Sequence, residues 1–217
     1  MAKKRPAQTR RRMRTGGGAA PPLPDGLKES KLREMRAALR LSREPEWNQV
    51  ASDWRLMLKV GDSFGVATKQ GKVIASGLTV PFGGSFGWIS MILVTPAFRR
   101  RGLATYLMGR CIAALRARDK VPALDATPEG RTVYRSLGFK DVYRITRFFA
   151  RAPRFASKPT PVGVELRRMR ASDLPAVARY DAPIFGGTEP SCWPIYAAAD
   201  QDGLSLHCAT PKYAATF

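Results

Sequence analysis

Val94-Thr95-Pro96-Ala97-Phe98-Arg99-Arg100-Arg101-Gly102-Leu103-Ala104 is the stretch that decides how this chain is read. Ahead of it, Phe86 to Val94 is almost wholly apolar with β-branched members, the pattern of a strand buried on both faces. Behind it, Leu103, Leu107, Cys111, Ala114 and Leu115 mark one face of a helix running to about Asp119. A strand, a basic turn and a helix opening at a glycine make a physical anion site. The N–H groups of a first helical turn have no partner inside the helix, and the helix dipole adds positive potential, so a pyrophosphate can be held there. Gly102 admits a phosphate close to the main chain, and Arg99, Arg100 and Arg101 add charge-assisted contacts. Taken alone, the three arginines also fit a charge cluster that merely caps a surface turn.

Working upstream, a loop at Pro81 to Ser85 precedes the buried strand. Before that loop, Phe64 and Val66 alternate with polar or small neighbours, Gln70-Gly71-Lys72 supplies a turn and Val73 to Thr79 returns, which predicts a β-hairpin. Earlier still, Leu32, Met35 and Leu39 recur at helical spacing among charged residues. A second helix is expected after Pro45, with an apolar stripe of Trp47, Val50, Ala51, Trp54 and Leu58.

Downstream, Val121 to Ala126 reads as a short strand. Thr127 to Phe139 reads as a short helix that Gly138 stops in the C′ position. The spacing Arg99-x-x-Gly102-x-Ala104, entered from Val94-Thr95-Pro96, resembles the acetyl-CoA-binding signature of the GNAT superfamily of N-acetyltransferases. Tyr134-x-x-x-Gly138-Phe139 resembles that superfamily's second signature. Trp47-Asn48-Gln49 and Leu124-Asp125-Ala126-Thr127-Pro128 also look like a bacterial branch in which two such units stand in tandem.

The resemblance implies an α+β fold: a mixed, mostly antiparallel central sheet flanked by helices, whose central strands splay apart to take the pantetheine arm. It would occupy residues 27–150, with 141–150 as a closing strand. It implies acetyl-CoA as co-substrate, held by Leu93, Val94, Arg99, Arg100, Arg101, Gly102, Leu103, Ala104 and Thr127. The acetyl group would pass to a primary amine, on a small molecule or a peptide, by direct attack in a ternary complex. A main-chain N–H near Leu93 and Val94 would polarise the carbonyl. Tyr134 would assist the departing sulfur; packing against Phe139 is its structural alternative. Arg100 and Ala104 stand where many members have glycine, and Thr127 where many have asparagine. The buried strand carries no carboxylate, so no general base transfers by resemblance. Glu46, Asp53 and Asp125 are the candidates, and Asp125 is equally suited to cap the following helix. Trp47, Asn48 and Gln49 are candidates for lining the acceptor pocket, with Trp47 also on the apolar stripe.

Composition sets the wider limits. Of 217 residues, 44% are hydrophobic, which supports a packed core and excludes a wholly disordered chain. The 37 basic against 17 acidic residues give +20. Lys3, Lys4, Arg5, Arg10, Arg11, Arg12 and Arg14 concentrate that charge at the amino end, and a Gly- and Pro-rich run follows. Residues 1–26 therefore read as a basic flexible tail, either a solubilising arm or a means of holding nucleic acid by counterion release. Three cysteines and one histidine, with no closely spaced Cys pair, give neither a disulfide scaffold nor a metal site, and a reducing cytoplasmic address is the default. No apolar run is long enough to span a bilayer.

Residues 151–163 contain Pro153, Pro159 and Pro161 and read as a linker. In 164–217, Val164 to Arg167 looks like a strand and Ala171 to Ala178 like a capped helix start, as though a second unit of the same kind begins. From Gly187 the periodicity stops, as it would if the reading frame had shifted and left that unit aberrant. The competing function is a non-catalytic module of this fold that grips nucleic acid or another anionic partner.

Overall fold

A computed structural model describes residues 22–32, 34–142, 144–146, 162–163 and 167–185. Five strands form one sheet in the order β1-β2-β3-β4-β5: Leu27–Ser30, Ser63–Thr68, Val73–Pro81, Phe86–Val94 and Val121–Ala123. The first four pair antiparallel, and β4 pairs with β5 in parallel. Helices α1 (Met35–Arg43) and α2 (Ala51–Val60) lie between β1 and β2. Helix α3 (Leu103–Arg116) joins β4 to β5, and α4 (Pro128–Ser136) follows β5. The expected α+β architecture is thus present.

Period-two patterning sends alternate residues to opposite faces, and each face is covered by helices. On one side Trp54, Leu41, Ala38 and Leu32 pack against Ala67, Val73, Leu78, Met91 and Leu93. Trp54 is fully buried and its indole N–H donates to Ser42 Oγ at 3.2 Å, so the polar atom of the largest core side chain is satisfied. On the other side Leu103, Tyr106 and Leu107 of α3 cover Val66, Ile74 and Ala75, while Met108, Cys111 and Leu115 cover Ile89 and Leu124. The end of α2 is sewn to β3. Gly61 lies so close to it that a Cβ there would stand 1.5 Å from the Thr79 carbonyl oxygen. Thr79 N–H donates to the Asp62 carbonyl at 2.9 Å.

Several sequence expectations shift. Leu27–Ser30, whose four residues show no alternation of hydrophobicity, is an edge strand held by β2 and by the contacts of Glu29 with Tyr106 (2.6 Å) and Arg110 of α3. Leu23 packs against the α3 face, so the ordered unit begins ahead of residue 27. Helix α2 starts at Ala51, not after Pro45. Trp47 reaches the core from the connection instead, its N–H bonded to the Ser42 carbonyl at 2.9 Å and Glu46 turned to φ 59° to bring it there. No strand forms over 141–142 and 144–146; the rest of the expected closing strand lies outside the described residues. So do residues 1–21 of the tail, 151–161 of the linker, the expected strand at 164–166, and 186–217 with Cys192, His207 and Cys208. Ala171–Asp173 is a 3-10 turn leading into α5 (Leu174–Phe185), which continues past the expected helix start. Among the described residues no helix is long and apolar enough to cross a membrane, and no group of three metal-ligating side chains occurs.

Candidate active site

The site is built by the separation of β4 from β5. They pair only from Phe86 with Val121 to Trp88 with Ala123; beyond that, the β5 edge of β4 from Ile89 to Val94 has no strand beside it among the described residues. A bulge re-aims this same stretch. Leu78 faces Ser90 and Ser76 faces Leu93, so β4 carries one residue more than β3. Met91 absorbs it at φ 52°, and Ser76 Oγ donates to the Met91 carbonyl at 2.9 Å. As a result Ser90 and Met91 both face α1 and α2: Ser90 Oγ lies 3.6 Å from Met57 Sδ and Met91 packs in the Trp54 cluster.

The register past the bulge decides which main-chain groups are free. Thr95 N–H donates to the Ile74 carbonyl at 2.9 Å. Hydrogen-bonded and non-hydrogen-bonded pairs alternate in an antiparallel ladder, so Val94, opposite Ala75, turns its N–H and C=O away from β3 and toward the side that β5 has left. Arg99 Nε donates to that carbonyl at 3.1 Å. Leu93 is turned the other way, its main chain in the β3 ladder and its side chain in the core under α1 and α2.

From Val94 the chain makes a 3-10 turn at Pro96–Phe98 and enters α3 through two left-handed residues, Arg100 at φ 59° and Gly102 at φ 76°. The main-chain N–H groups of Arg100, Arg101, Gly102, Leu103 and Ala104 have no acceptor among the described residues; the first closure of α3 is Tyr106 N–H to the Gly102 carbonyl at 2.9 Å. Left-handed residues within a turn aim successive N–H groups to one side, and the helix start adds positive potential. A Cβ built on Gly102 would meet nothing within 4 Å, so the space beside Gly102 is open. The arginines divide their work: Arg99 clasps Val94, and Arg101 lies over the Phe98 ring at 5.1 Å and reaches the Ala97 carbonyl. The unpartnered N–H groups and the charge beside them form a turn that can accept an anion.

Tyr134 comes to the vacated side of β4 on α4. Its ring packs edge to face on Phe139 at 6.3 Å, lies over Gly130 one turn earlier, and joins the cluster of Ile89, Met108, Cys111 and Leu124. Burial pushes its hydroxyl pKa above the usual 10, with the neighbouring Cys111 adding to the shift, so the phenol stays protonated through the neutral range. Burial likewise pushes the Cys111 thiol far up, and that cysteine is an inert core residue. Helix α4 is held at both ends. Thr127 Oγ1 accepts the Gly130 N–H at 3.2 Å, so the N-cap is Thr127 and not Asp125. At the far end Gly138 takes φ 93°, and Asp141 grips Arg131 at 2.8 Å and also Arg135, which lowers the Asp141 carboxyl to about 2.

The candidate bases are not brought together. Glu46 is exposed, and Asp53 accepts the Val50 N–H at 3.0 Å as the first-turn cap of α2. Asp125 is half-buried just before α4. Of the acceptor-pocket candidates, Trp47 is half-buried against the Trp54 cluster, Asn48 is exposed, and Gln49 is half-buried. A residue that sequence reading passed over is Glu44, at the end of α1. It pairs with Arg40 at 2.7 Å and accepts from Thr95 Oγ1 at 3.3 Å. The i,i+4 spacing with Arg40 is visible in the sequence; the contact with Thr95 is tertiary. A cavity of about 500 Å³ lies elsewhere, lined by Gly61, Asp62, Ser63, Ala114 and Arg118 among others, and includes no residue of the turn.

The Acetyltransferase (GNAT) family matches residues 30–139, just over half of the chain. No curated protein matches it. Among solved structures, the chain is similar to a Trypanosoma brucei acetyltransferase at 19% identity and TM-score 0.49, covering 57% of this chain and 99% of that one. It is similar to glucosamine-6-phosphate N-acetyltransferase from Arabidopsis thaliana at 15% identity and TM-score 0.46, covering 57% and 99%. A Pyrococcus horikoshii protein assigned as an acetyltransferase aligns at 19% identity and TM-score 0.61, covering 84% of this chain and 65% of that one. At such identities the likeness is one of fold, and it agrees with the five-stranded mixed sheet and its helices. The chain belongs to the GNAT acetyltransferase family.

Proposed function

We propose that this protein transfers an acetyl group from acetyl-CoA to a primary amine, on a small molecule or a peptide, by direct attack in a ternary complex. The observation that carries the reading is the run of unpartnered N–H groups from Arg100 to Ala104 placed at the end of a strand edge that β5 has vacated. The donors and Arg100 would hold the diphosphate, with Leu103 and Ala104 setting the start of α3. The freed N–H of Val94 and the main chain beside it would lie along the pantetheine arm. When bound, acetyl-CoA supplies an acyl group activated as a thioester.

The residues of the chain do the rest. A main-chain N–H on the open edge of β4 offers a fixed dipole to the acyl oxygen where negative charge grows, at no cost in reorganisation. Tyr134 donates a hydrogen bond toward the departing sulfur. A thiol near 8.5 and a phenol near 10 already differ by roughly 2 kcal/mol, and burial raises the Tyr134 hydroxyl further. Tyr134 therefore shares its proton as charge develops and does not surrender it beforehand. The amine must arrive neutral, and water is the route by which its proton leaves.

The test is twofold: calorimetry with acetyl-CoA, and release of free thiol across a panel of small amines and peptide amines. Saturable binding with amine-dependent thiol release is expected. Absence of heat and of saturation at millimolar acetyl-CoA overturns the proposal.

A further inference from the structure

The chain enters the fold at the end of the sheet that carries the turn into α3. Leu23 and Leu27 pack on the cluster of Leu103, Tyr106 and Leu107, and Val94 and Phe98 pack on the same cluster. Leu27 opens β1 opposite Thr68, Val73 opens β3 opposite Ala67, and Val94 closes β4 opposite Ala75. The start of β1, the β2–β3 turn and the end of β4 therefore stand side by side, across about 14 Å at the usual spacing of strands. Five exposed cations gather at this end: Lys69 and Lys72 on the β2–β3 turn, and Arg99, Arg100 and Arg101 beyond β4. The Lys69 stem passes beside Gly26, with Cε 3.9 Å from where a Cβ would stand, so its charge sits where the chain enters β1. Among the described residues none of the five forms an ion pair, whereas Arg110, Arg118, Arg131, Arg135 and Arg167 do. Of the acids near this end, Glu29 and Glu44 are held by Arg110 and Arg40, and Asp25 and Glu46 are exposed. Cations gathered without partners raise the local potential and draw in an anion from outside the chain.

We propose that this end of the sheet, with the amino-terminal segment that leads into it, binds the phosphodiester backbone of a nucleic acid, and that nucleic acid and acetyl-CoA exclude one another at the turn. Seven of the first fourteen residues are Lys or Arg, with no acid among them. Arg14 stands nine residues before Leu23, so it lies within about 30 Å of the patch even on a fully extended chain. Phosphates recur at about 3.4 Å along one strand of a duplex, so 14 Å of sheet end presents its cations to about four of them. Contacts of this kind position a backbone and release counterions without reading its bases. Anionic lipid is the poorer fit. An amphipathic membrane anchor inserts Trp, Phe or Leu, and residues 1–21 contain none of these. Five of the seven cations are arginines, which pair with phosphate through two parallel N–H bonds. The exclusion follows because the arginines and free N–H groups of the turn would serve either anion. That clause rests on the reading given above; the nucleic-acid site does not.

The experiment measures binding of the full-length protein to a labelled single-stranded RNA and a labelled DNA duplex, each about 20 nucleotides long, by fluorescence anisotropy between about 50 and 200 mM salt. One variant combines Lys69→Ala with Lys72→Ala; the other combines Arg10→Ala, Arg11→Ala, Arg12→Ala and Arg14→Ala. All six positions are polar surface or tail residues, and an unchanged melting temperature checks that each variant is folded. At least one probe is expected to bind, with affinity falling about 10²-fold or more across the salt range, as for roughly six phosphate contacts. The probe that binds assigns the site to RNA or to DNA. The lysine variant should bind about fivefold more weakly, with a salt slope shallower by roughly 1.5. The arginine variant should bind about 10-fold more weakly. Saturating acetyl-CoA should weaken nucleic-acid binding about fivefold. No salt-dependent binding of either probe overturns the inference, as does wild-type affinity in the lysine variant, which would make the tail a free arm. Binding to phosphatidylserine vesicles but to neither nucleic acid also overturns it. Acetyl-CoA that binds without displacing nucleic acid overturns the exclusion at the turn. If acetyl-CoA does not bind at all, the enzymatic reading falls, and the lysine and arginine variants still decide the nucleic-acid site.

Discussion

Two side chains in the site are in conformations or environments that cost free energy, and each gives a sharp expectation. Tyr134 is half-buried with its hydroxyl pKa raised, and its ring packing does not depend on the oxygen. Tyr134→Phe is expected to lower kcat about 10²-fold, the usual scale for acid catalysis, with acetyl-CoA affinity within about twofold by calorimetry; an unaltered kcat removes Tyr134 from the chemistry. Arg100 holds φ 59°, where a side chain costs roughly 1–2 kcal/mol and glycine does not. Against this, glycine adds about 0.5–1 kcal/mol of unfolded-chain entropy. Arg100→Gly should therefore raise stability by up to about 1 kcal/mol in urea unfolding while weakening acetyl-CoA binding through the lost charge. That Arg100 departs from the family's usual glycine followed from the resemblance; its left-handed backbone did not, because arginine itself gives no sign of it.

At the scale of elements, the placement of helices depends on a few close approaches. Gly61→Ala would set a methyl group 1.5 Å from the Thr79 carbonyl oxygen, and the backbone must part. A loss of about 3 kcal/mol in urea unfolding is expected, and a loss below about 1 kcal/mol would show that α2 can slide on β3. Helix α4 is held by Asp141, whose carboxyl titrates at about 2 when folded against an ordinary 3.8. A depressed folded value means that the clamp's stabilisation is present above 3.8 and is lost as pH falls toward 2. Asp141→Asn should flatten the fall of thermal stability across that window and lower kcat a few-fold by loosening Tyr134; an unchanged acid profile would count against the clamp. The strand at Phe86–Val94, the hairpin and α3 were readable because each pattern is long or strongly periodic. The four-residue β1 and the late start of α2 were not, since the first owes its strand to β2 and the second has Trp47 in register with its stripe but off the helix.

For the molecule as a whole, every element of the site falls within Leu27–Ser136. A chain ending at Ala150 is therefore expected to keep acetyl-CoA affinity within about threefold of the intact protein by calorimetry; loss of binding would mean that later residues complete the site. The sequence by itself determined the strand, the basic turn and the helix around Gly102, because local periodicity, a glycine and a run of arginines are properties of contiguous residues; the fold class followed from the resemblance those motifs carry. It also singled out Tyr134 and the stop at Gly138. Only the tertiary structure decided that β5 leaves β4 after three pairs, that a bulge at Met91 sets which N–H groups face the gap, and that Glu44 meets Thr95 with one oxygen left over. Those depend on register and on contacts between residues far apart in the chain, which no local pattern encodes.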